Sequence, residues 1–206
     1  MKIDLKTTIP SYTAHHGRFS LLEVPPLQYL AIDGQGDPNT SPDYAGAVGS
    51  LYPLAYALKF LSKDELGRDY VVMPLEALWW AEDMSDFTTH RDKSRWRWTV
   101  MILVPDWLGN EHVEAARETV RRKGGAPALA EVRLAALEEG LSVQTLHIGP
   151  YDAEGPVLAR MHTEFIPAQG LQLRGRHHEI YLGDPRRVPA ERLRTVLRQP
   201  VERAPR

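Results

Sequence analysis

Twice along these 206 residues the same succession of patterns recurs: an apolar β-rich run, a turn, an amphipathic helical run, then two further β-rich runs. In the first half, Leu27 to Asp33 is rich in strand formers and runs into the turn cluster Gly34-Gln35-Gly36-Asp37-Pro38-Asn39. Ser41-Pro42-Asp43 then starts a helix, with a hydroxyl cap, a proline at the first helical position and an acid in the first turn. Tyr44, Val48, Leu51, Ala55 and Leu58 follow at helical spacing, which predicts a buried face down to about Leu61. After the polar turn Asp64 to Asp69 come two strand-like runs, Tyr70 to Trp80 and Arg95 to Val104, joined by the charged loop Ala81 to Ser94. In the second half, Leu141 to Ile148 reads as a strand and Gly149-Pro150-Tyr151 as a turn. Leu158, Met161, His162 and Phe165 share a helical face, and His177 to Leu182 and Leu193 to Leu197 are the closing strands. The halves do not align residue by residue, so the repeat is one of pattern. It predicts an α+β fold: a duplicated strand-helix-strand-strand repeat with the helices on one side of a combined sheet.

Between the halves the periodicity is helical. Val113, Ala116 and Val120 mark one amphipathic helix, broken at Gly124-Gly125, and Leu129, Val132, Ala136 and Leu137 predict a second, which Gly140 stops. The expected organisation is one domain over 1–206: repeat one at about 27–105, a helical bridge at about 110–140, and repeat two at about 141–201. Residues Glu202 to Arg206 read as a frayed tail.

Composition narrows the function. Hydrophobic residues are 43% and charged residues 25%, ordinary for a chain with a packed core. A net charge of -2 supplies no footprint for nucleic acid or an anionic membrane. There are no cysteines, so thiolate metal sites and cysteine nucleophiles are excluded. The first twenty residues lack the apolar core of a signal peptide, and no stretch approaches the roughly 20 apolar residues of a membrane span. A cytoplasmic chain is expected. Gly34-Gln35-Gly36 follows a strand but lacks the third glycine of a dinucleotide fingerprint. His15-His16 and His177-His178 are adjacent pairs, and strand neighbours point to opposite faces, so no metal site is expected. No cofactor is implied.

Four of the five tryptophans fall on two adjoining strands. By alternation Leu75, Ala77 and Trp79 share one face and Glu76, Leu78 and Trp80 the other, while Trp96 and Trp98 share a face of the next strand. Core packing with a cross-strand aromatic ladder accounts for this concentration, and so does a stacking platform for a planar ligand, with Trp80 in the cleft and Trp79 in the core. In the second half, Ile180 and Leu182 are expected to face the core, with Glu179 and Tyr181 on the opposite side of the sheet. There Glu179 is either a solvated carboxylate paired with Arg194 or Arg198, or part of a cleft wall.

Several stretches together resemble the gyrase-inhibitor-like (GyrI-like) small-molecule-binding family. They are Ile32-Asp33-Gly34-Gln35-Gly36-Asp37-Pro38, Leu51-Tyr52-Pro53-Leu54-Ala55-Tyr56, Pro74-Leu75-Glu76-Ala77-Leu78-Trp79-Trp80, Gly149-Pro150-Tyr151, and the most specific, His177-His178-Glu179-Ile180-Tyr181-Leu182-Gly183-Asp184-Pro185-Arg186-Arg187. The resemblance implies the duplicated fold of GyrI-like, SOUL-type effector-binding domains, with a ligand between the repeats. Its stand-alone members that hydrolyse cyclopropane-bearing alkylators look nearest, since too few residues precede the first repeat for a DNA-binding helix pair. Carried over, Glu179 is the catalytic carboxylate, Tyr181 assists it, and Trp80 lies beside the ligand. Tyr52, Tyr56, Glu76 and Trp98 are further candidates for ligand binding. In such a site a carboxylate acts as general base on an oriented water while a phenol or acid donates to the developing oxyanion. The expected function is binding of small, flat, hydrophobic xenobiotics and hydrolysis of reactive cyclopropanes among them. The alternatives are sequestration without turnover and a protein-interaction role such as modulating gyrase. A homodimer is compatible with the sequence.

Overall fold

The computed structural model describes residues 2–82 and 92–205. Among them nine strands run in chain order: β1 (Ser20–Val24), β2 (Leu27–Gln35), β3 (Leu75–Trp80), β4 (Arg97–Leu103), β5 (Arg133–Leu137), β6 (Gly140–Ile148), β7 (Leu171–Leu173), β8 (His177–Tyr181) and β9 (Arg194–Arg203). The helices are α1 (Leu5–Thr8), α2 (Pro42–Leu66), α3 (Asn110–Arg122) and α4 (Gly155–Arg160). Helix α4 continues through a π-helical turn, Met161–Phe165, into α5 (Ile166–Ala168). None of the described helices is long and apolar enough to cross a membrane.

Two compact units divide the chain, and each is discontinuous in sequence: Met1–Thr8 with Leu27–Leu137, and Ile9–Pro26 with Glu138–Arg206. In the first unit the antiparallel order is β3-β4-β2-β5. In the second it is β8-β9-β6-β1, also antiparallel, with β7 on the far part of β9. The expected repeat is present as β2-α2-β3-β4 and β6-α4-β8-β9. Both units place the first strand of the repeat on the outside of the third, and both add one more strand beyond it.

Those added strands correct the sequence reading. The segment expected to be a second bridging helix contains a 3₁₀ turn, Leu129–Glu131, and then β5, paired with β2 from Leu27↔Leu137 to Ala31↔Arg133. Leu129, Val132, Ala136 and Leu137 fit a helical period, but an unpaired edge of β2 offers a full ladder of backbone partners, and tertiary pairing overrides local preference. Gly140 accordingly stops no helix. It opens β6 with φ of +62°. Strand β1 falls in a region to which no element was assigned, and it fills the matching edge position on β6. Glu202 and Arg203, expected to fray, are the last residues of β9 and pair with Gln172 and Leu171. The expected loop Ala81 to Ser94 lies largely outside the described residues.

Helix α2 begins as predicted. The Ser41 hydroxyl accepts from the Tyr44 N–H at 3.3 Å, Pro42 opens the first turn, and Gly67 closes the helix in the left-handed region. Its buried face (Ala47, Leu51, Leu54, Ala55, Leu58) lies on Leu30, Ile32, Val100 and Ile102 in the core of the first unit. The core of the second unit joins Val143, Leu197 and Val201 of the sheet to Met161 and Ile166 of the helical segment.

Candidate active site

Strand register determines which side chains the second unit brings together. Glu179 pairs with Leu197, which pairs with Thr145, and Val143 lies two residues further along the same face. Val143 and Leu197 pack against Met161 and Ile166. His177, Glu179 and Tyr181 therefore occupy the helix-covered face, not the opposite one. The expectation failed because both faces are buried: His178, Ile180 and Arg198 on the other side are also wholly enclosed. Hydrophobic alternation cannot discriminate between faces in that case.

The enclosed face opposite Glu179 is an ionic network. Glu139 receives a hydrogen bond from Arg198 at 2.6 Å, and lies 2.9 Å from His178 Nδ1. Arg198 also reaches Gln144 Oε1 at 3.1 Å and the Ser11 carbonyl at 2.7 Å, and Gln144 donates to the Thr13 carbonyl at 2.9 Å. Burial opposes ionisation of Glu139, but His178 and then Arg198 outweigh it and bring its pKa down to about 2. The network fastens the 9–15 segment to the sheet. Arg198, considered as an ion-pair partner for Glu179, is committed here instead.

On the helix-covered face, the Tyr181 hydroxyl donates to Glu179 Oε2 at 2.7 Å, and His177 Nε2 lies 3.4 Å from Glu179 Oε1. Glu179 is 9% exposed. The Tyr151 ring stands edge-on to Tyr181 at 5.4 Å, and His162 faces His177 at 6.3 Å. His162 sits in the π-helical turn, the widened kind of turn that often accompanies functional sites. Burial, then the charge of His177, lowers its pKa to about 4, so the ring is neutral. Its Nε2 has no hydrogen-bond partner among the described residues.

The sequence reading missed Glu154. It precedes α4, is 5% exposed, and its Oε1 is buried without a hydrogen-bond partner among the described residues. Burial first, and the negative charge of Glu179 second, push its pKa up to about 9. A helix N-terminus favours a carboxylate by only about 0.3–1 kcal/mol, too little to offset that burial. Glu154 therefore keeps its proton at neutral pH. The Thr195 hydroxyl, also buried, lies beside it, on the residue of β9 that faces Tyr181. The one available signal in sequence was the Gly149-Pro150-Tyr151 turn just upstream.

In the first unit, Trp79 and Trp98 stand opposite each other on β3 and β4, on the face covered by α2. Tyr44 stacks on Trp79 at 6.0 Å and meets Trp98 edge-on at 5.1 Å, and Trp96 stands edge-on to Trp79 at 5.8 Å. Gly34 lies directly under the Trp98 ring, where a Cβ would collide with it. Trp98 also borders a cavity of about 210 Å³ with Ile32, Pro42, Gly46 and Pro127. Trp80 is partly exposed and shares the other face with Glu76, which is wholly buried. Tyr52 and Tyr56 lie one helical turn apart on α2, Tyr52 partly exposed and Tyr56 51% exposed. Of the residues singled out in sequence, Glu179 and Tyr181 are thus directly bonded. Trp98 belongs to an aromatic core, and Trp80, Glu76, Tyr52 and Tyr56 lie elsewhere in the first unit.

The model of the GyrI-like small molecule binding domain matches residues 18–202. An uncharacterised conserved protein from Listeria innocua is 35% identical with a TM-score of 0.89, covering 98% of this chain and 100% of its own. A hydrolase from Listeria innocua is 36% identical with a TM-score of 0.87 over the same shares of the two chains. The C-terminal domain of EcmrR, 13% identical with a TM-score of 0.56, covers 91% of this chain and 98% of its own and shares the fold alone. No curated protein matches the chain.

Proposed function

The chain belongs to the GyrI-like small-molecule-binding family, and from that premise we propose that it is a hydrolase of small, flat, hydrophobic electrophiles, with Glu179 as the base that activates water. The observation that carries this reading is the Glu179–Tyr181 bond: a nearly buried carboxylate with one oxygen held by a phenol at 2.7 Å. That leaves Oε1, on the His177 side, to accept a proton from water. Tyr181 orients the carboxylate, and Tyr151 against it supplies aromatic surface for a planar guest. The hydrolase from Listeria innocua supports the reaction class. Within that class the substrate we favour is a cyclopropane fused to a dienone, an electrophile that needs only an oriented water and a place for the displaced electron pair. Trp80, Tyr52, Tyr56, Glu76 and Trp98 remain candidates for holding the ligand.

The test is Glu179→Gln, which keeps shape and hydrogen-bonding reach but removes the basic oxygen. Incubated with a panel of cyclopropane-bearing alkylators, the parent should yield hydrated products detectable by mass. The variant should lose roughly 10²–10⁴ in rate while still binding intact ligand. Hydrolysis by the variant at the parent rate removes Glu179 from the mechanism. Binding by the parent without any hydrated product favours sequestration instead.

A further inference from the structure

Addition of water across a strained ring needs a second proton-handling group. As the water oxygen bonds to a ring carbon, the ring C–C bond breaks and its electron pair runs through the conjugated system to the carbonyl oxygen. Glu179 takes one proton from water, and the oxygen at the far end must gain one. Tyr181 is poorly placed to supply it, because its hydroxyl hydrogen is engaged by Glu179 Oε2. His162 and His177 face each other, and the neutral His162 is no acid at physiological pH.

We propose that Glu154 is the proton donor of this site, the acid partner of Glu179, so that the two buried glutamates divide the acid and base roles between them. This inference rests on the hydrolase reading. Glu154 is the more deeply buried of the pair, and its Oε1, without a hydrogen-bond partner among the described residues, is the oxygen placed to meet a substrate oxygen. Its surroundings are Glu179 on β8, with His177 and Tyr181 alongside, Thr195 on β9, and Asp152 and Tyr151 on its own turn. His147 of β6 holds the base of that turn through the Pro150 carbonyl at 3.1 Å, and His162 approaches from the π-helical segment. Two carboxyls in one enclosed site cannot both ionise cheaply, so one keeps a proton while the other stays charged. Burial and the charge of Glu179 assign the proton to Glu154. After ring opening Glu154 is ionised and Glu179 protonated. One proton passed back between them restores the resting state, and the net reaction is addition of one water.

The experiment pairs infrared titration with turnover in the parent, Glu154→Gln and Glu179→Gln. At neutral pH the parent should show a protonated-carboxyl carbonyl band that is missing from Glu154→Gln. In Glu179→Gln that band should persist and titrate at lower pH, because the charge that helped hold the proton is gone. Glu154→Gln should lose roughly 10²–10⁴ in kcat toward the cyclopropane panel and melt no lower than the parent, a combination that mere structural damage does not produce. The proposal is overturned if no band is lost in Glu154→Gln, or if that variant hydrolyses at the parent rate. Should the parent itself hydrolyse nothing while the band behaves as expected, the hydrolase reading fails and the donor role with it, and the protonated Glu154 is left as a property of a binding site.

Discussion

The two units share a strand order but enclose opposite chemistries beneath their helices. Under α2 the first unit places indoles and a phenol, with Gly34 left bare so that the Trp98 ring can lie on the backbone. Around α4 and the π-helical turn that continues it, the second unit places two glutamates, two histidines and a tyrosine. One backbone plan accepts either content because strand order and helix placement depend on where apolar residues recur, not on what fills each remaining position. In the first unit these positions add to the core. In the second they hold ionisable groups whose burial costs stability.

The largest effect expected is on the ionic network of the second unit. Arg198→Met leaves Glu139 enclosed without its guanidinium and should cost about 3–5 kcal/mol in denaturant unfolding. A loss under 1 kcal/mol would mean His178 alone satisfies Glu139. Nearly as large is Trp79→Ala in the first unit, about 3–5 kcal/mol for a buried aromatic. It should leave the carboxyl band of Glu154 where it was, and a moved band would show that the contents of the two units are not independent.

A third comparison uses pH and carries opposite signs within one unit. The folded-state pKa of Glu139 lies below its usual value, so its contribution is present above about 4.5 and is lost as pH falls toward about 2. That of Glu154 is raised, so stability is greatest below about 4.5 and declines as pH climbs toward about 9. Glu154→Gln should therefore raise the melting temperature at neutral pH, by the equivalent of about 1–3 kcal/mol, and flatten the neutral-to-basic limb while leaving the acid limb intact. A variant that melts lower at neutral pH would mean that the Glu154 proton is not held as described. The smallest effect is Ser50→Ala. Its hydroxyl accepts from the Ala128 N–H and donates to the Gly46 carbonyl, both at 2.8 Å, and its loss should cost about 1–2 kcal/mol.

What could be read before the structure was whatever depends on neighbours in sequence. The Ser41-Pro42 start of α2, its buried face, the paired β3 and β4 and the strand at His177 all declare themselves through local chemistry and period. Residues 129–137 did not, because their spacing satisfies a helix while their partner, the edge of β2, is a hundred residues upstream. The orientation of Glu179 was hidden for a related reason: a strand enclosed on both faces has no polar side to betray its direction. Glu154 was announced only by the Gly149-Pro150-Tyr151 turn upstream, since a lone glutamate after a turn holds its proton only because of what closes over it.

The exchange of edge strands has a consequence for how the chain is made. Strand β1 leaves the ribosome before anything it pairs with, and Ser20 has to wait until Gln144 has been synthesised. At 5–20 residues per second that delay is on the order of ten seconds. Throughout it β1, whose Leu21 is exposed even in the finished molecule, is a loose strand beside a nascent β2 whose own edge is reserved for β5. Charge on Glu23 and the rigid Pro25-Pro26 that follows are well suited to keep it from pairing too early.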